Sequence, residues 1–243
     1  MTRRLLATCA ALLLVGSGAQ AGEFSPGTGS GTTTYTAPER GPVTITQSVS
    51  TDLVAATVIA CAGTAGEGTT DNWFLRRFFL TEDHAIVGSF TTTTVEIGVQ
   101  ELIIPDGGTF SIDVSVYSIP NGDPFLFDNL TLLATANVEL AEGSLYYIEP
   151  IALDATISDP AMFDLVVEIF APNAQDRTIS FRPGGNPGGE TQPTYLAAPD
   201  CSIPDPTPVG DIGFPDANLF MVVNGTEDTG TPVEEISWSN VKT

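Results

Sequence analysis

Phe110-Ser111-Ile112-Asp113-Val114-Ser115-Val116-Tyr117 alternates apolar and polar side chains without a break. Successive side chains of a β-strand point to opposite faces, so Phe110, Ile112, Val114 and Val116 share one face. Ser111, Asp113, Ser115 and Tyr117 share the other. A helical turn of 3.6 residues would scatter the four apolar side chains around the axis. The stretch therefore predicts a strand with one dry and one wet face, the hallmark of an antiparallel sheet covered on one side.

The same alternation recurs on either side. In residues 94–100, Val95, Ile97 and Val99 face one way while Thr94, Glu96 and Gln100 face the other. Leu165-Val166-Val167-Glu168-Ile169-Phe170 and Leu219-Phe220-Met221-Val222-Val223 are apolar on both faces, which predicts central strands. Residues 73–80 form a further candidate with Arg76 and Arg77 in the middle. Residues 130–142 fit both a helical and a strand period, and the surrounding β texture selects the strand. Turn chemistry separates these runs at Pro105-Asp106-Gly107-Gly108, Pro120-Asn121-Gly122-Asp123-Pro124 and Asn224-Gly225. The expectation is an all-β, antiparallel sandwich with jelly-roll-like architecture. Residues 184–208, rich in Gly and Pro, read as a long surface excursion with room for short strands.

The amino-terminal residues read as an export signal. Arg3 and Arg4 precede an apolar run from Leu5 to Val15, and Ala19-Gln20-Ala21 is a small-x-small cleavage pattern. Residues 1–21 are assigned to the signal, 22–42 to a flexible Gly/Thr/Ser-rich leader and 43–243 to a single sandwich domain. Removing the signal removes Cys9 and leaves Cys61 and Cys201. An even pair in an exported chain predicts a disulfide. The closing residues, 231–243, hold no apolar run, so a secreted or periplasmic protein is expected.

The formal net charge is −22, and Lys242 is the only lysine. A surface so acidic repels phosphate backbones and anionic lipid, which argues against nucleic-acid and membrane partners. It leaves carboxylates for a hard cation, and a structural Ca²⁺ fits the composition of Asn121-Gly122-Asp123 with Asp128, and of Asp205, Asp211 and Asp216. His84 is the only histidine, set in Thr81-Glu82-Asp83-His84, which reads as an exposed turn. A hydrolase built on a nucleophile and a histidine base would depend on that one side chain. No catalytic set is assigned, and the protein is expected not to be an enzyme. Glu96, Asp113, Glu149 and Glu168 lie on expected strands, and Glu168 stands out because its strand reads as buried. Tyr117, Trp73 and Tyr195 are the candidate binding residues: aromatic rings stack on sugars, and Tyr117 falls on the wet face of its strand. Tyr146 and Trp238 are weaker candidates of the same type.

Asp71-Asn72-Trp73-Phe74-Leu75-Arg76-Arg77-Phe78, Val114-Ser115-Val116-Tyr117-Ser118-Ile119-Pro120, Pro193-Thr194-Tyr195-Leu196-Ala197-Ala198-Pro199-Asp200-Cys201 and Met221-Val222-Val223-Asn224-Gly225 carry a resemblance. The succession resembles an uncharacterised β-sandwich module of bacterial secreted proteins. It implies a jelly-roll-like sandwich outside the cytoplasm in an accessory role, and no catalytic residues to transfer. The expected function is non-catalytic binding or adhesion toward a glycan or an extracellular protein. The alternatives are a self-assembling extracellular component and a carboxylate-dependent glycoside hydrolase. Oligomeric state is left open.

Overall fold

The computed structural model describes residues 41–54, 58–63, 68–142 and 146–230. The signal sequence, most of the leader and Trp238 lie outside the described residues. Two antiparallel sheets pack face to face as a sandwich. The first has the order β1-β11-β3-β6, with β8 also paired to β3. It is built from β1 (Gly41–Thr46), β3 (Ser89–Ile103), β6 (Tyr147–Ile157), β8 (Ser180–Pro183) and β11 (Met221–Asp228). The second has the order β10-β9-β2-β7-β4-β5. Its strands are β2 (Asn72–Phe78), β4 (Thr109–Pro120), β5 (Thr131–Ala141), β7 (Phe163–Ala171), β9 (Tyr195–Ala198) and β10 (Ile203–Pro208).

Four antiparallel pairings nest one inside another along the chain. β4 pairs β5, β3 pairs β6, β2 pairs β7 and β1 pairs β11, all antiparallel. β7 also pairs β4, and β11 also pairs β3.

The alternation in the sequence sets which side chains enter the core. Ile112, Val114 and Val116 are fully buried between the sheets, as are Val95, Ile97, Val167 and Ile169. Phe74, Phe78, Phe90 and Phe181 fill the same layer. The ambiguous stretch 130–142 is strand β5, with Leu140 inward and Glu139 outward.

Four readings need correction. Gly41 and Pro42, read as the end of the leader, open β1. Asn224-Gly225 is not a turn but lies inside β11, at a register shift against β3. The glycine is needed there because a Cβ would stand 2.4 Å from the Thr91 carbonyl oxygen and 2.7 Å from the Phe90 ring. Gln100, placed on the wet face, is buried at 5 % exposure. Residues 81–84 are not an exposed turn: Leu80–His84 forms one helical turn, α1, closed by Ala85 at φ 55°. His84 is half-buried there, its Nε2 is enclosed, and burial pushes its pKa down.

The segment 184–208 does hold short strands, β9 and β10. Cys61 and Cys201 form the disulfide, with Cα atoms 6.0 Å apart. It ties the approach to β2 to the turn between β9 and β10. Disulfides persist in oxidising compartments, so the bond points to an extracytoplasmic setting. No helix among the described residues is long and apolar enough to cross a membrane.

Candidate functional site

The face of the second sheet that points away from the core is where the candidate residues meet. Strand register lays it out in rows. Tyr195, Leu75, Glu168, Ser115 and Thr135 follow one another across β9, β2, β7, β4 and β5. Trp73, Phe170, Asp113 and Asn137 form the row on one side. Arg77, Val166, Tyr117 and Leu132 form the row on the other. Trp73, Tyr117 and Tyr195 therefore share one surface with Glu168, although only Tyr117 was assigned to it by periodicity.

That surface is not bare. Leu75, Ile119 and Val166 are buried in a second apolar cluster, and Trp73, Tyr117, Phe125, Phe127, Leu130 and Tyr195 pack around them. Phe125 and Phe127 come from the segment 121–130, which folds back over the sheet. The Phe125 and Tyr195 rings meet edge-on at 4.6 Å. Trp73 stacks on Phe170 at 4.7 Å and takes the edge of Phe127 at 5.9 Å. Trp73, Tyr117 and Tyr195 stay half-exposed, so their rims line the surface while their bodies are packed.

Arg77 holds the covering segment down. Its Nε donates to Asp164 Oδ2 at 2.8 Å and its Nη1 to the Asp123 carbonyl at 2.8 Å. Its guanidinium also sits over the Phe79 ring at 5.3 Å. The loop whose composition suits calcium thus gives carbonyl oxygens to an internal cation. Among the described residues no three His, Cys, Asp or Glu side chains gather as a metal set. Burial pushes the Asp164 carboxyl up by more than Arg77 pulls it down.

Glu168 is the chemically distinctive group. It is 4 % exposed, and the Tyr117 hydroxyl donates to its Oε1 at 3.0 Å. Loss of hydration pushes the carboxyl up to about 7; the Tyr117 hydrogen bond opposes this, and Asp113 on the same face adds to it. Burial and then Glu168 push Tyr117 up to about 12. Asp113 itself accepts from Asn137 Nδ2 at 2.8 Å. Near neutral pH the site thus offers a carboxyl that can either donate or accept, set among aromatic rims.

This shift has a consequence for stability. A carboxyl whose folded pKa lies above its unfolded value of ~4.3 binds more protons in the folded state between the two. Its contribution is full below pH ~4 and is lost as pH rises through ~7, by about 3–4 kcal/mol for this group. Urea unfolding at a series of pH values should show that loss in the native sequence and not in Glu168→Gln. A wild-type-minus-variant difference that stays flat from pH 4 to 8 would contradict the assignment.

Elsewhere, an apolar cavity of about 450 Å³ beside the disulfide is lined by Ile59, Leu196, Ile203, Ile212 and Phe214. The chain elements that build it lie far apart in sequence, so no local pattern announces it. Of the other acids, Glu96 accepts from Asn224 Nδ2 at 2.8 Å on the first sheet, and Glu149 is half-buried on β6. Tyr146 is exposed at the turn before β6, away from the aromatic rows.

No family model matches this chain, and neither does any curated protein or solved structure. The resemblance drawn from the sequence is left with its coarser content, an all-β sandwich of two antiparallel sheets.

Proposed function

We propose that the protein is an extracytoplasmic, non-catalytic binding module that takes a neutral glycan on the outer face of its second sheet. The observation that carries this reading is the convergence of Trp73, Tyr117 and Tyr195 with Glu168 on that face. Aromatic rims offer apolar contact to the C–H faces of a sugar ring. A carboxyl titrating near 7 can donate to or accept from a sugar hydroxyl. The net charge of −22 disfavours anionic polysaccharides. A jelly-roll description belongs to the same reading, and the nested pairings β4–β5, β3–β6, β2–β7 and β1–β11 support it.

Glu168 and Asp113 are two carboxyls on one face, the raw material of glycoside hydrolysis. Glu168, however, lies on the floor under Tyr117 rather than in a cleft between substrate subsites. Holding a hydroxyl suits that position better than protonating a leaving group.

A glycan array probed with the mature protein should return neutral oligosaccharide ligands. Trp73→Ala and Tyr117→Phe should each weaken the best ligand by about tenfold, equal to ~1.4 kcal/mol. Silence across the array, or affinity indifferent to both substitutions, would refute the assignment.

A further inference from the structure

A strand at the border of a sheet presents a row of unpaired N–H and C=O groups to any other extended chain. Among the described residues, β1, β5, β6, β8 and β10 are each paired along one side only. Four of them contain proline, which has no N–H to give and blocks strand addition. Pro42 lies in β1, Pro150 in β6, Pro183 in β8, and Pro204, Pro206 and Pro208 in β10. The exception is β5, Thr131-Leu132-Leu133-Ala134-Thr135-Ala136-Asn137-Val138-Glu139-Leu140-Ala141, without proline or glycine. At 11 residues it is also, with β6, the longest of these borders. Nearly all of its side chains are exposed or half-buried, and Leu132 is 54 % exposed.

Charge identifies the occupant. The chain carries 30 acids and 8 bases, so most of its surface repels a second copy. Along β5 the only charge is Glu139. Antiparallel pairing of two β5 strands about a two-fold axis at Ala136 sets Thr135 opposite Asn137 of the partner subunit on the outer face. It sets Ala134 opposite Val138 of the partner subunit on the core side. Glu139, on the outer face, then lies level with Leu132 of the partner subunit and Leu133 of the partner subunit, where the pairing of β5 with β4 skips a residue. The two Glu139 side chains stand six residues apart along the strand, about 20 Å, well beyond the screening length of ~8 Å. We propose that β5 docks a second copy of this chain in this way, joining the two second sheets into one continuous sheet. The pairing is isologous and closes as a dimer.

Sedimentation velocity of the mature chain up to ~1 mM should show a dimer that grows with concentration, and that strengthens with added salt as the acidic bodies are screened. Amides within 131–141 should gain protection from hydrogen exchange as the dimer forms. Thr135→Pro and Ala136→Pro remove adjacent N–H groups, of which one points toward β4 and one outward. The variant that keeps its near-ultraviolet circular dichroism is expected to stay monomeric. A native chain that remains monomeric at every concentration and salt level overturns the proposal. So does a dimer whose protected amides lie outside 131–141, which is the deciding measurement if neither proline variant folds. Persistence of the dimer in a folded proline variant that has lost the outward N–H overturns it equally.

Discussion

Replacing Cys61 and Cys201 together by alanine is expected to lower the stability of the mature protein by up to about 5 kcal/mol. The figure follows from the sequence separation of 140 residues. A cross-link between distant positions removes conformations mainly from the unfolded chain, by an amount that grows with the logarithm of the loop. For a domain of this size the melting temperature should fall by roughly 10–20 °C. The dependence on urea should also steepen, because the unfolded chain without its bridge exposes more surface. The folded structure places the loss. Cys61 is buried at 5 % exposure, and its backbone exchanges hydrogen bonds with the Asn72 side chain at 2.7 and 2.9 Å. That end stays put without the bridge. Cys201 is exposed in the turn between β9 and β10. The β9 backbone pairs with β2 only at Trp73, Phe74 and Leu75. Hydrogen exchange in the variant should therefore open residues 195–208 before the rest. Chemical reduction of the native chain should reproduce the shift. A loss under about 1 kcal/mol in both experiments would mean that the packed sheets alone hold these segments together.

The bridge was readable because it needs only a count and a compartment: two cysteines remain once residues 1–21 are read as an export signal. The central strands were readable because their side chains alternate, or are apolar throughout, and the core depends on that pattern. β9 and β10 were hard to see for a physical reason. Proline within a run argues against a strand in the interior of a sheet, but β10 is a border strand with no neighbour on one side. Asn224-Gly225 misled in the opposite direction. The dipeptide is the common signature of a tight hairpin, yet here the glycine answers a close approach by Thr91 and Phe90, a contact between strands that no local window reveals.

The candidate site divides in the same way. Periodicity put Tyr117 on the outer face, and residue type alone nominated Trp73 and Tyr195. Their meeting depends on which strands become neighbours, and β2 reaches β9 across more than a hundred intervening residues. The folding back of residues 121–130 was invisible because its anchors, Arg77 and Asp164, belong to other strands. The Pro120-Asn121-Gly122-Asp123-Pro124 motif was rightly a turn, but what its carbonyl oxygens bind is a tertiary matter. Glu168 was suspected from its apolar neighbours, and its burial bears out that pattern.

Arg76 gives the second large effect. Adjacent residues of a strand point to opposite faces, so Arg77 serves the outer segment while Arg76 points into the sandwich. There it is fully buried, at 0 % exposure. It forms an ion pair with Glu190 at 2.9 Å and donates to the carbonyls of Gln192, at 2.8 Å, and Leu219. Desolvation lowers its pKa to about 10 against the pull of Glu190, so it remains charged at neutral pH. Glu190 in turn accepts from the backbone N–H of Thr194 at 2.8 Å and from its hydroxyl at 2.6 Å. One cation thus ties the approach to β9, and with it Tyr195, to Leu219 just before β11. Arg76→Met keeps most of the side-chain volume and deletes the charge. It leaves a largely enclosed carboxylate and two carbonyls without their donor, which costs about 3–5 kcal/mol when a buried pair is broken from one side. Arg76→Lys should recover only part of this, because an ammonium cannot span the same acceptors as a planar fork. The double variant Arg76→Met with Glu190→Gln should lose less than Arg76→Met alone, since no orphaned charge remains. Urea unfolding of the native chain, Arg76→Met, Glu190→Gln and the double variant measures the coupling. If Arg76→Met unfolds within ~0.5 kcal/mol of the native chain, the arginine is a passenger in the core rather than its anchor for the β9 excursion.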